Sequence, residues 1–156
     1  MHVVIAVDGS RQSLLAARRL KDIADPAKIS DISVVAVIRP LAAVGFADEL
    51  SEETRAESTL SFRTAAQRAL EVVAQEFEGW GPKVHQRIRS GSPATEIIRA
   101  VERYAAGLVV IGAGGRGISD AVLVGSTAHR VQSYAPCPVL VVRPTPKAKK
   151  KATARK

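Results

Sequence analysis

The sequence predicts an α/β domain built on a doubly wound, five-stranded parallel sheet with helices on both faces. Three observations carry this reading. Apolar, β-branched runs recur five times along the chain, and segments of helical period separate them. Four of the five runs are continuous enough in apolar residues to be buried on both faces. The resulting order is βαβαβαβαβ, and strands that alternate with helices imply right-handed crossovers that place helices on both sides of a parallel sheet.

Each element has its own signal. HVVIAV, residues 2–7, is the first strand, and residues 13–24 follow as a helix with Ala16, Leu20 and Ile23 on its inner face. ISVVAVI, 32–38, is the second strand. The stretch 39–58 is too polar and irregular for a core and reads as a surface loop, of a length common in functional or mobile segments. Beyond it, Ala66, Leu70, Val73 and Phe77 repeat through a long second helix. KVHQRIR, 83–89, alternates polar and apolar residues, which marks an edge strand. Residues 93–105 form the next helix, with Ser92 as N-cap, Pro93 at the first helical position, and Ile97, Val101 and Tyr104 or Ala105 buried. LVVIG, 108–112, and PVLVVR, 138–143, complete the sheet.

The chain has 156 residues, 46% of them hydrophobic, enough for a single core without covalent staples. Its formal charge of +8 is mostly a tail: KAKKKATARK, 147–156, carries six basic residues and no acid, leaving 17 basic and 15 acidic residues in 1–146. We expect one domain over 1–146 and a disordered basic tail over 147–156, capable of weak, sequence-independent contact with nucleic acid. Aromatic residues are only 4% of the chain, too few for a stacking platform. One cysteine, Cys137, excludes an internal disulfide framework and reads as a small buried residue. The opening MHVVIAVDGS lacks a basic, long-apolar leader, and no apolar run approaches the roughly 18 residues of a membrane span. The expectation is a cytoplasmic protein with no membrane contact.

Function is concentrated where strands end. In an open parallel sheet, ligands bind beyond the carboxyl ends of the strands, at the point where strand order reverses. Asp8 in VDGS closes the first strand, and five of the eleven glycines lie between Gly112 and Gly125, behind the fourth. Gly112, Gly114 and Gly117 satisfy GxGxxG, but the acid expected about 20 residues on is replaced by Ala135-Pro136-Cys137-Pro138. No lysine follows a glycine as a Walker A loop requires, GxSxG is absent, and His2, His85 and His129 are scattered without metal-ligand spacing. Asp8 is either a ligand contact or an ordinary turn residue in Asp8-Gly9-Ser10.

The spacing Gly112-x2-Gly115-x9-Gly125-Ser126 resembles the nucleotide-binding members of the universal stress protein family, whose GxxGx9G is followed by Ser or Thr. The likeness runs from HVVIAVDGS through GSPATEIIRAVERYAAGLVVIGAGGRG to APCPVLVVR, leaving out the tail and the 39–58 loop. It implies strand order 3-2-1-4-5, which sets the first and fourth strands side by side. It further implies ATP, or AMP or ADP, with Mg²⁺ as cofactor, and an adenine end near Ala6, Asp8, the backbone of Val37, and Ile111. Gly112, Gly114 and Gly115 would bring backbone amides to the phosphates, while Gly125, Ser126 and Thr127 would meet them at the start of the last helix, where amides and the helix dipole favour an anion. Arg116 is either a phosphate partner or an exposed loop charge. The chain departs from the family pattern at Gly107 and Gly114, where members often carry polar or basic side chains.

Two function classes follow. One is an ATP-binding regulatory protein of the stress response, a homodimeric, nucleotide-dependent binding module that pairs through residues 138–143, whose edge would otherwise stay open. The other is a slow ATP hydrolase, for which the glycine motif offers no His, Glu or Lys and only Asp8 stands near. A nucleic-acid-associated accessory role through the tail is the third reading.

Overall fold

The structure is a computed structural model that describes residues 1–40, 49–114 and 124–144. Five strands form one sheet: β1 His2–Val7, β2 Asp31–Ile38, β3 Lys83–Ser90, β4 Leu108–Gly112 and β5 Val139–Val142. The order is β3-β2-β1-β4-β5 and every pairing is parallel, as the sequence pattern and the resemblance implied. Among the described residues four α-helices cover it: α1 Arg11–Ile23, α2 Glu52–Gln75, α3 Pro93–Arg103 and α4 Ser126–Tyr134.

Strand alternation divides the core in two. Val3, Ile5 and Val7 of β1 face α1 and α2 together with Ile32, Val34 and Ala36 of β2. Val4, Ala6 and Val35 face the opposite way, with Val109 and Ile111, onto Ile97 and Val101 of α3 and Ala128 and Val131 of α4. Val3, Val4 and Ile5 are fully buried, and complete burial of such side chains stabilises the fold by roughly 1.5–3 kcal/mol each. The central strands are therefore the apolar ones because both of their faces are covered.

Several sequence expectations change in detail. The 39–58 loop is shorter than expected: Ser51 caps α2 by accepting the Thr54 N–H, so residues 52–58 are helical, while 41–48 lie outside the described residues. Helix α1 starts two residues earlier than expected, because Ser10 Oγ accepts the Ser13 N–H. Its inner face is Ser13, Ala16, Ala17 and Leu20; Ile23, the last helical residue, is 60% exposed, and Ala24 packs on the core instead. Phe77 is buried, but from the turn that follows α2. Helix α3 ends at Arg103, short of the expected 105, where the chain turns through Ala105 at φ +48. Tyr104 packs on the core and Ala105 is exposed. Ser92 holds the N-cap position of α3 without a side-chain cap bond.

The edges also differ from one another. β3 is an edge, as its alternation indicated. β5 is the other edge, and only Val142 in it is buried, so it is not a strand covered on both faces. Cys137 beside it is half-buried and not enclosed; burial raises its thiol pKa, and Sγ lies 3.5 Å from the Pro138 carbonyl oxygen. The 147–156 tail lies outside the described residues.

Candidate functional site

The reversal of strand order falls between β1 and β4. Helix α1, which follows β1, packs on one face, and α4, the next described element after β4, packs on the other. A cleft of about 560 Å³, within the usual range of small-molecule sites, is lined by residues at the carboxyl ends of β1, β2 and β4.

Among the residues expected at a site, Ala6, Asp8, Val37 and Ile111 line this cleft, from the ends of β1, β2 and β4. Gly112 and Gly114 line it behind β4, and Gly125, Ser126 and Thr127 at the start of α4. The fold thus brings together segments more than 100 residues apart. Gly115 and Arg116 lie outside the described residues.

The glycines divide by physical role. Gly112 is small for packing: a Cβ there would lie 2.7 Å from both the carbonyl carbon and oxygen of Gln12 in the first turn of α1, which only a glycine permits. Gly114 instead has φ +85 and nothing within 4 Å of a Cβ position, so its backbone turns in open space beside the cleft. Gly125 has φ −49 and ψ 160, an ordinary N-cap conformation with no demand for positive φ. Among the described residues no side-chain cap bond closes the N-terminus of α4, and this helix start with its dipole lies at the cleft wall.

Asp8 performs a local task as well, since Oδ1 accepts the Ser10 N–H at 2.9 Å and braces the turn into α1. It is the one acidic residue among the described lining residues, and Arg39, past the end of β2, the one basic. Among the described residues no group of three or more His, Cys, Asp or Glu side chains is arranged to hold a metal ion. A divalent cation here would take the Asp8 carboxylate and complete its shell from ligand oxygens and water.

Beside the cleft, a buried carboxylate fixes the corner between β3 and α3. Glu96 is 6% exposed; Oε2 accepts Arg89 Nε at 2.9 Å and Oε1 accepts Arg99 Nη1 at 2.7 Å. Burial pushes its pKa up, but the hydrogen bonds and charges of Arg99 and Arg89 outweigh that, so the carboxyl sits below its ordinary value. This corner carries Pro93 and Ile97 into the cleft wall.

Sequence reasoning missed Arg39, Ser10, Ser13, Phe62 and the alanines of α2 as lining residues. Arg39 had a signal, a cation directly beyond a strand end. Phe62 had none, because its place depends on the path α2 takes back across the sheet.

Comparison with known proteins agrees with this geometry. The model of the universal stress protein family matches residues 1–143. A universal stress protein of Methanocaldococcus jannaschii is 36% identical over 141 residues, covering 90% of this chain and 81% of that one. The universal stress protein UspA of Lactobacillus plantarum shares the fold with a TM-score of 0.67 and 27% identity, over 92% of this chain and 97% of that chain. An Arabidopsis thaliana member of the family, solved with AMP bound, has a TM-score of 0.66 at 18% identity, over 94% and 93% of the two chains. The fold, the family match over residues 1–143 and the archaeal relative lead to one conclusion: this protein belongs to the universal stress protein family.

Proposed function

We propose that this protein is a nucleotide-dependent binding module of the stress response, holding an adenine nucleotide at the carboxyl end of its sheet. One observation carries the reading: Gly114, at positive φ, and the start of α4, for which no side-chain cap bond is found among the described residues, line the same cleft. Backbone amides and a helix dipole favour an anion there without any basic side chain. The apolar walls given by Ala6, Val37 and Ile111 suit a base, and Asp8 stands between the two ends. Family members of this fold have been solved with AMP, with cAMP and with dAMP, which supports an adenine nucleotide as the class of ligand.

ATP with Mg²⁺ is the form we assign, with AMP or ADP as the nearest alternatives. Phosphate oxygens would meet Gly114, Gly125, Ser126 and Thr127, and a cation would bridge them to Asp8. Asp8 is also the one carboxylate among the described lining residues that could act as a base toward a water, so a slow hydrolase is the competing reading. We assign the folded domain to residues 1–146 and treat 147–156 as an appended basic tail, with contact to nucleic acid as its proposed use.

The β5 edge supports a homodimer. Its backbone pairs with β4 on one side only, and Val139, Leu140 and Val141 are half-buried in the single chain. Native mass spectrometry of the purified protein with added ATP or AMP tests both claims. Expected are a species of twice the 16.6 kDa chain mass and one nucleotide per chain. Absence of any adenine nucleotide complex would remove the module, and a purely monomeric spectrum would remove the dimer.

A further inference from the structure

The β3 edge carries charge of one sign. No acidic residue occurs between Glu78 and Glu96, a stretch that holds Lys83, Arg87 and Arg89. Charges on an edge strand guard it against pairing with another chain. Either sign would serve that purpose, and it does not call for a neighbouring helix to add more of the same.

Strand alternation puts these cations on one side. Val84 and Ile88 pack on the α1/α2 core, so Lys83, His85, Arg87 and Arg89 belong to the opposite side, the one that α3 covers in part. Two contacts fix the direction: the His85 ring stacks with His2 at 6.3 Å, and Arg89 Nε donates to Glu96 Oε2 of α3 at 2.9 Å. Helix α3 then contributes two cations of its own. Glu96, Arg99 and Arg103 follow at i, i+3 and i+7 and share a side of the helix, the one from which Glu96 reaches β3.

Charge on this side is not balanced. Glu96 is shared by Arg89 and Arg99, and Asp31 is held by His85. Lys83, Arg87 and Arg103 are exposed and pair with no carboxylate among the described residues. Glu102 precedes Arg103 but lies about 100° round the helix from it. Among the described residues, none of the exposed large apolar side chains lies on β3 or α3, so a partner meets charge here and no apolar anchor.

Such a surface suits a polyanion with regularly spaced charges. Alternate residues of a strand stand about 6.6 Å apart, so Lys83, Arg87 and Arg89 follow at intervals of roughly 13 and 7 Å, within reach of successive phosphates on an extended strand. We infer that this side of the β3 edge binds single-stranded nucleic acid, its phosphates held by Lys83, Arg87 and Arg103 beside the Arg89–Glu96–Arg99 bridge. The contact is with the backbone and carries no sequence preference. It draws on residues of neither the cleft nor the 147–156 tail.

Fluorescence anisotropy of labelled oligothymidylate, titrated with the full chain over a series of salt concentrations, tests it. Arg87→Gln/Arg103→Gln is compared with Arg63→Gln/Arg68→Gln, which removes the same charge from exposed positions of α2. All four positions are exposed, so the thermal melts should superimpose on the wild type. We expect wild-type binding that weakens steeply with salt. The β3/α3 variant should bind about tenfold more weakly at low salt, and its slope of log affinity against log salt should be shallower by about 1.4, since each phosphate contact on a single strand contributes about 0.7. The α2 variant should keep the wild-type slope. Absence of wild-type binding would overturn the inference, and so would wild-type affinity in the β3/α3 variant, which would leave the tail as the binding element. Equal losses in the two variants would overturn it as well, because net charge alone would then set the affinity. Binding to phosphatidylserine vesicles that the β3/α3 variant loses, without binding to oligothymidylate, would replace the nucleic acid with a membrane surface.

Discussion

At the amino end of the sheet, side chains from neighbouring strands meet one another. His2 of β1 lies 2.9 Å from Ser33 Oγ of β2, and His85 of β3 donates to Asp31 Oδ1 of β2 at 2.9 Å. The rings form a stack, with His2 against Tyr104 at 5.2 Å and against His85 at 6.3 Å. At the carboxyl end of the same strands the lining is Gly, Ala, Val, Ile, Ser, Thr, Pro and Phe, with a single carboxylate and a single guanidinium among the described residues. One end satisfies its polar groups with partners from within; the other leaves backbone at a helix start facing an open cleft. The contrast supports the proposed placement of a ligand at the carboxyl end without reference to any motif.

The contrast breaks most severely at Gly112, where the carboxyl end depends on missing atoms. Gly112→Ala forces a methyl into the backbone of Gln12, and overpacking of this kind costs typically 1–3 kcal/mol. We expect the upper part of that range, about 3 kcal/mol, because the opposing atoms are backbone and cannot rotate away. A denaturant midpoint measured beside wild type checks it. Gly114→Ala is the matched control: its Cβ meets nothing within 4 Å, so only the positive φ is penalised, at roughly 1 kcal/mol.

Next in size is the corner beneath the cleft. Glu96→Gln leaves Arg89, only 19% exposed at its side chain, with a neutral partner in place of a carboxylate, and we expect a loss of about 2 kcal/mol at neutral pH. The sign of the pH dependence follows from the lowered pKa. The stability Glu96 contributes is fully present above the carboxyl's unfolded value and disappears as pH falls through the lower folded value. Wild type and Glu96→Gln should therefore converge in stability as the solution is acidified. A difference that stays constant from pH 7 to acid would show that the charge is not what Glu96 supplies.

The smallest effect belongs to the amino end. Burial is the main cause that lowers the His2 pKa, opposed by the charge of Asp31 and reinforced by His85. Folded protein thus favours neutral His2, so its contribution is complete above the ordinary imidazole value and is lost as pH falls below it. His2→Gln should flatten a shallow decline in thermal stability on the acid side of neutrality and leave nucleotide binding unchanged. A marked change in nucleotide affinity would mean that the two ends of the sheet are coupled.

The fold was legible because parallel strands covered on both faces leave a nearly uninterrupted β-branched record, as in HVVIAV and ISVVAVI. The start of α2 was legible too and was overlooked: Ser51 followed by Glu52 and Glu53 is a helix N-terminal signal that the irregular stretch before it obscured. At the cleft, the glycine spacing pointed to Gly112, Gly114 and Gly125, which line it, but not to their separate roles. Gly112 answers to Gln12, and Gly114 to its own dihedral angle, and neither fact is visible until α1 is packed on β4. Phe62 and the α2 alanines were illegible for the same reason, since a crossover helix reveals its contact face only once its axis is placed. His2 and His85 looked scattered, yet parallel pairing through β2 brings them into one stack.

Gly125→Asp puts the central claim to its most direct test. With φ at −49 and an N-cap position, Gly125 can be replaced by aspartate, a favoured capping residue, at a stability change within about 1 kcal/mol. The same carboxylate would stand where phosphate is proposed to lie, and charge repulsion at that distance should weaken binding by about a hundredfold. Titration of wild type and Gly125→Asp with ATP and Mg²⁺, beside a denaturant melt of each, separates the two quantities. The account predicts wild-type binding, near-abolished binding in the variant and nearly superimposable melts; a variant that binds nucleotide as the wild type does would contradict it.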